Sequence, residues 1–157
     1  MESFLNTFQK LKDNLYNFLN LSDINLSNIN EINNNIEELI NNYNKVLTPI
    51  SDYLNTYYKG TFVYKNNIDE LYFENINLFY TVINNLLTIL NNIHDILNLN
   101  YSKFGYNYKQ NLIKIQKQKL NESIEQLDLI ISGLSVLLLN FNELVNINEE
   151  IYKIGNE

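Results

Sequence analysis

Residues 72–97 read YFENINLFYTVINNLLTILNNIHDIL, and their spacing decides the fold class. Apolar residues recur at Tyr72, Ile76, Phe79, Ile83, Leu86, Leu90, Ile93 and Leu97. The steps alternate between four and three, as in a helix that lays one seam along a neighbour. Phe73, Tyr80 and Leu87 flank the seam on one side and Val82, Ile89 and Ile96 on the other, while Asn77, Asn84, Asn91 and Asn98 hold the opposite face. A face this wide predicts cover by more than one helix. The seven-residue units FYTVINN, LLTILNN and IHDILNL follow one another, and IEELINN at 36–42 echoes them. Repetition at this period predicts an all-α fold: an elongated up-down bundle of four long helices with heptad-type, coiled-coil packing.

Upstream, Phe4, Phe8, Leu11, Leu15 and Phe18 mark the seam of a first helix over about 3–20. A second, over about 29–58, carries Ile29, Ile32, Ile36, Leu39, Tyr43, Val46, Ile50, Tyr53 and Tyr57, and Asn28 with Glu31 has the spacing of a capping box. Pro49 lies inside it. Because the seam keeps phase across the proline, the reading is a kinked helix rather than a new one capped by Thr48. Gly60 is expected to stop this helix and Thr61–Tyr64 to form a short extended piece, after which Asn67 and Glu70 cap the central helix, 67–99. Downstream, a helix over about 109–153 has Leu120, Leu127, Leu134 and Phe141 on its seam, reinforced by Ile124, Ile131, Leu138 and Val145. A break at its Gly133 would make the bundle five-helical.

A chain of 157 residues is expected to form a single domain, 1–157. It has no cysteine, which excludes disulfides and thiolate metal sites, and no arginine, which removes the planar fork suited to clamping phosphate. Alanine and tryptophan are also absent while Asn, Ile, Leu, Tyr and Phe abound, a composition that points to an AT-rich genome such as that of a virus or mobile element. Asparagine is a poor helix former, so packing rather than propensity must hold these helices. The net charge of −7 favours solubility and disfavours non-specific nucleic-acid binding. Met1-Glu2-Ser3 opens no signal peptide, so a cytoplasmic or equivalent location is expected.

Few residues offer chemistry. The single histidine, His94, has Asn91 three residues before it where a di-iron bundle needs glutamate. Glu70 with Glu74 and Glu122 with Glu125 share helix faces, as solvated acids commonly do, and the four glycines are too dispersed for a phosphate loop. No catalytic, cofactor-binding or metal-binding residue is assigned, and a non-enzymatic protein is expected. One stretch stands out electrostatically: Lys103, Lys109, Lys114, Lys117 and Lys119 are interleaved with Phe104, Tyr106 and Tyr108, with no acid between Ile96 and Asn121. Cations with rings are what a single-stranded nucleic-acid platform uses. The less specific reading, rings closing the bundle end with lysines on an acidic surface, is favoured. Between Asp128 and Glu143 the last helix carries no charge and is apolar nearly all round. Ser132, Ser135, Asn140 and Asn142 interrupt it, which argues for a buried helix centre over a membrane span. Surface left uncovered there would mark an interface, with Leu134, Leu137, Leu138 and Phe141 as candidates. The expected function is structural or protein–protein interaction, through a protein partner or a homo-oligomer. Nucleic-acid binding through 101–119 is the alternative, and membrane-surface association the third reading.

Overall fold

The computed structural model describes residues 1–57, 67–99 and 105–155. They form four helices: α1 (Glu2–Leu19), α2 (Leu26–Tyr57), α3 (Ile68–Leu97) and α4 (Tyr106–Gly155). No strand occurs among the described residues. Each helix packs on the next in sequence, α3 and α4 most extensively, and α1 also meets α4. Gly60 and Thr61–Tyr64 lie outside the described residues.

Helix starts differ from the expected caps in an informative way. α2 opens at Leu26, two residues before Asn28. Asn25 and Asn28 bond reciprocally, each backbone N–H donating to the other's Oδ1 at 2.9 and 3.1 Å. This is a capping box built from two asparagines, in which two otherwise orphaned donors are satisfied. Asn67 does precede α3, but in the left-handed conformation (φ 65°) and without a side-chain cap. Asparagine tolerates that conformation better than most residues. α2 continues through Pro49 as one helix.

The core follows the seam of α3 with one rotation. Phe79, Ile83, Leu86, Leu90 and Ile93 are buried, and so is the flank Val82, Ile89 and Ile96. The other flank stays partly open, with Phe73 exposed and Tyr80 and Leu87 half-buried. Asn77, Asn84, Asn91 and Asn98 face outward. All five seam residues of α1 are buried. On α4 the buried line through Leu120, Leu127 and Leu134 is joined by Ile130, Leu137 and Leu144, whereas Ile131, Leu138, Phe141 and Val145 are half-buried. Ile124 is buried as expected too, and only past Leu134 does the core line shift, from Leu138, Phe141 and Val145 to Leu137 and Leu144.

α4 does not break at Gly133; it is one helix of 50 residues, about 75 Å at 1.5 Å per residue. The five-helix reading is thereby corrected, and the glycine has another role. A Cβ at position 133 would lie 2.9 Å from Asn75 Nδ2. The Asn75 amide is buried, accepts a hydrogen bond from the Tyr43 hydroxyl and donates to the Ile130 carbonyl at 3.1 Å. Gly133 thus admits a polar side chain of α3 between the helices. Tyr43 also stacks on Phe79, ring centroids 3.7 Å apart, and touches Phe4 of α1 at 5.7 Å. One buried node consequently joins all four helices. A lone polar group at a heptad position fixes register, since any sliding leaves it unpaired.

Candidate functional site

Two lysines of the basic aromatic segment are taken up by the fold. Lys109 is 1% exposed and its Nζ donates to the Leu97 carbonyl at 3.4 Å, at the end of α3. Lys117 Nζ donates to the Leu21 carbonyl at 2.6 Å, just beyond α1. Both cations sit where helix C-termini concentrate unpaired carbonyls and negative dipole charge. Lys114, Lys119, Tyr106 and Tyr108 are exposed, while Lys103 and Phe104 lie outside the described residues. The array proposed for nucleic acid is thus split, with two of its described lysines turned inward.

Other chemistry-bearing groups are scattered. His94 is exposed, its Nδ1 3.4 Å from the Asn98 amide and 3.5 Å from Asp95. No cluster of three or more potential metal ligands occurs among the described residues. Glu70, Glu74, Glu122 and Glu125 are exposed. A half-open cleft of about 280 Å³ lies between α2 and α3, lined by Asn44, Leu47, Thr48, Ser51, Tyr72, Ile76 and Tyr80. Its polar groups are partly engaged: the Tyr80 hydroxyl donates to Asn44 Oδ1 at 3.0 Å and the Thr48 hydroxyl to the Asn44 carbonyl at 2.8 Å. It contains no nucleophile paired with a base.

The outer face of α4 is different. Of the predicted interface residues, Leu134 and Leu137 are buried in the chain's own core, and Leu138 and Phe141 pack half-buried against it. Phe141 meets the Tyr53 ring edge-on at 5.4 Å. Between Asp128 and Glu143 the apolar residues that face outward are Leu129 (58% exposed), Val136 (46%) and Leu139 (70%). Single exposed leucines are ordinary. Here, however, they lie in a stripe, Glu122, Glu125, Leu129, Ser132, Val136, Leu139 and Glu143, with alternating steps of three and four, and every member is exposed. This is a second stripe with heptad spacing, on the side of α4 away from the core. Its signal was present in the sequence as heptad spacing; what separates it from the inner seam is that it runs into glutamate at both ends.

α4 is also long and apolar enough, by length and composition, to cross a membrane. Only 22% of that apolar stretch is buried, so the expected buried helix centre is corrected: the inner face meets the core and the outer face is exposed.

Searches of protein-family profiles, curated proteins and solved structures find no match to this chain.

Proposed function

We propose that this chain is a non-enzymatic interaction module, an elongated up-down four-helix bundle that presents the outer face of α4 to a protein partner. Pairings between helices support the topology. Thr7 and Lys10 of α1 reach Asn42 and Glu38 of α2, Lys12 and the Leu21 carbonyl meet Asp128 and Lys117 of α4, and Asn75 and Leu97 of α3 meet Ile130 and Lys109. In each of these three helix pairs numbers rise along one helix as they fall along the other, as up-down connectivity requires. The observation that carries the functional reading is the exposed stripe through Leu129, Val136 and Leu139. An apolar seam at heptad spacing on the outside of a bundle is surface shaped for another helix. The absence of cysteine and arginine and the exposed, solitary His94 support the non-enzymatic part. The nucleic-acid alternative has less support, because Lys109 and Lys117 already hold backbone carbonyls.

The test compares material purified from native cells as wild type and as V136D/L139D. The partner should co-purify with wild type, rebind as a purified protein and be lost from the variant, while the variant's unfolding midpoint is unchanged. A partner retained equally by both would place the interaction elsewhere.

A further inference from the structure

We propose that the outer stripe of α4 docks a basic amphipathic helix, one whose short apolar seam is bracketed by lysines or arginines. This rests on reading the chain as an interaction bundle and names the chemistry of the partner. The apolar part, Leu129 to Leu139, covers ten residue steps, about 15 Å at 1.5 Å per step. On one side the same heptad positions continue as Glu125 and Glu122, on the other as Glu143. Between Lys119 and Lys153 there is no cation at all, against Glu122, Glu125, Asp128, Glu143, Glu149 and Glu150. Asp128 is engaged by Lys12 at 2.8 Å. No ion pair among the described residues uses Glu122, Glu125 or Glu143. The stripe therefore offers a small apolar centre with uncompensated negative ends, and flanking charges on paired helices set which partner and orientation are accepted.

Two other occupants fit less well. In a second copy packed antiparallel, the register that sets Leu129 against Leu139 also sets Glu125 against Glu143 at both ends of the contact. Packed parallel and in register, each glutamate faces itself. Like charges so placed oppose association. Anionic lipid meets the same repulsion, since juxtamembrane attraction to such surfaces requires lysine or arginine.

The test uses the full chain and labelled synthetic helices of about three heptads. One carries leucines at its central seam flanked by lysines. A second keeps the leucines with glutamate flanks, and a third keeps the lysines with serine at the seam. Fluorescence anisotropy should show the lysine-flanked leucine helix binding at least about tenfold tighter than either other, because it alone matches both the apolar centre and the charge. V136D/L139D should weaken it at least about tenfold, and E125K/E143K should transfer preference to the glutamate-flanked helix, as complementary charge dictates. Equal affinity for the lysine-flanked and serine-seam helices, no inversion in E125K/E143K, or no binding of any helix overturns the proposal. So does a dimer of the wild-type chain that V136D/L139D dissolves, or equally strong V136D/L139D-sensitive binding to phosphatidylcholine vesicles. The broader interaction reading fails separately, when the native partner ignores V136D/L139D; a partner that respects that variant but presents no cationic helix refutes only the chemistry assigned here.

Discussion

Replacing Gly133 with alanine isolates the buried node that joins the helices. On a helix interior this change alone should stabilise by about 1 kcal/mol, because glycine loses more backbone entropy and alanine is the best helix former. Here the new methyl would stand 2.9 Å from Asn75 Nδ2. The far end of a free side chain could swing aside, but this amide is held from two directions, by the Tyr43 hydroxyl and by the Ile130 carbonyl. Displacing it leaves buried polar groups unpaired, at about 1–3 kcal/mol. Gly133→Ala should therefore lower stability by up to about 2 kcal/mol net of the helix gain. With Asn75→Ala already in place the obstruction is gone, and the same substitution should stabilise by about 1 kcal/mol. Urea unfolding followed by circular dichroism on the two single variants and the double variant gives the coupling, expected at about 1–3 kcal/mol, within the range of about 0.5–3 kcal/mol for residues in direct contact. If Gly133→Ala stabilised the wild-type chain as much as the Asn75→Ala chain, the close approach of α3 and α4 at this point would be refuted.

Ile83→Asp, which places an unpaired charge in the core, should abolish cooperative melting, whereas Asn84→Asp on the outer face should shift stability by no more than about 0.5 kcal/mol; thermal denaturation of both checks the register of α3. Burial, with smaller contributions from Tyr80 and Tyr72, pushes the Tyr43 phenol well above its usual value of 10.0. The folded state thus favours the neutral phenol, so this contribution is complete below pH 10 and lost as pH rises beyond it. Unfolding free energy should fall more steeply above pH 10 in wild type than in Tyr43→Phe. Lys117→Ala should destabilise by about 1–3 kcal/mol through loss of a charged hydrogen bond to the Leu21 carbonyl, and a urea midpoint like wild type would contradict that capping role. A labelled single-stranded oligonucleotide at low salt should give no anisotropy change at tens of micromolar protein, because the lysine array is divided.

The parts of this fold that depend on period alone were legible in the sequence. The seam of α3 repeats without a miss, and Phe79, Ile83, Leu86, Leu90 and Ile93 are buried as it requires. Which flank of that seam is covered depends on where α4 lies, and no local pattern encodes it. Val82, Ile89 and Ile96 were buried rather than Phe73, Tyr80 and Leu87. Asn75 belongs to the same heptad line as Val82, but in an asparagine-rich chain one more asparagine carries no signal until its partners Tyr43 and Ile130 are known. Gly133 read as a weak point for the same reason, its function residing in a residue 58 positions away. That Lys109 and Lys117 hold helix-end carbonyls, rather than an acidic surface or nucleic acid, is not legible, because sequence does not distinguish a cation at a helix C-terminus from one facing water. On α4 two heptad stripes compete for the core. The glutamates at 122, 125 and 143 identify the outer one, a cue obscured by the uncharged run between Asp128 and Glu143.

The outer face of α4 is tested most directly by site-specific photo-cross-linking in the cells of origin, with the photoreactive residue at 136 or 139 and, as control, at 84 on the asparagine face of α3. Adducts from 136 and 139 to one shared protein, and none from 84, are the predicted result. Adducts from 84 in equal yield, or none from 136 and 139, would contradict the assignment of that face to a partner.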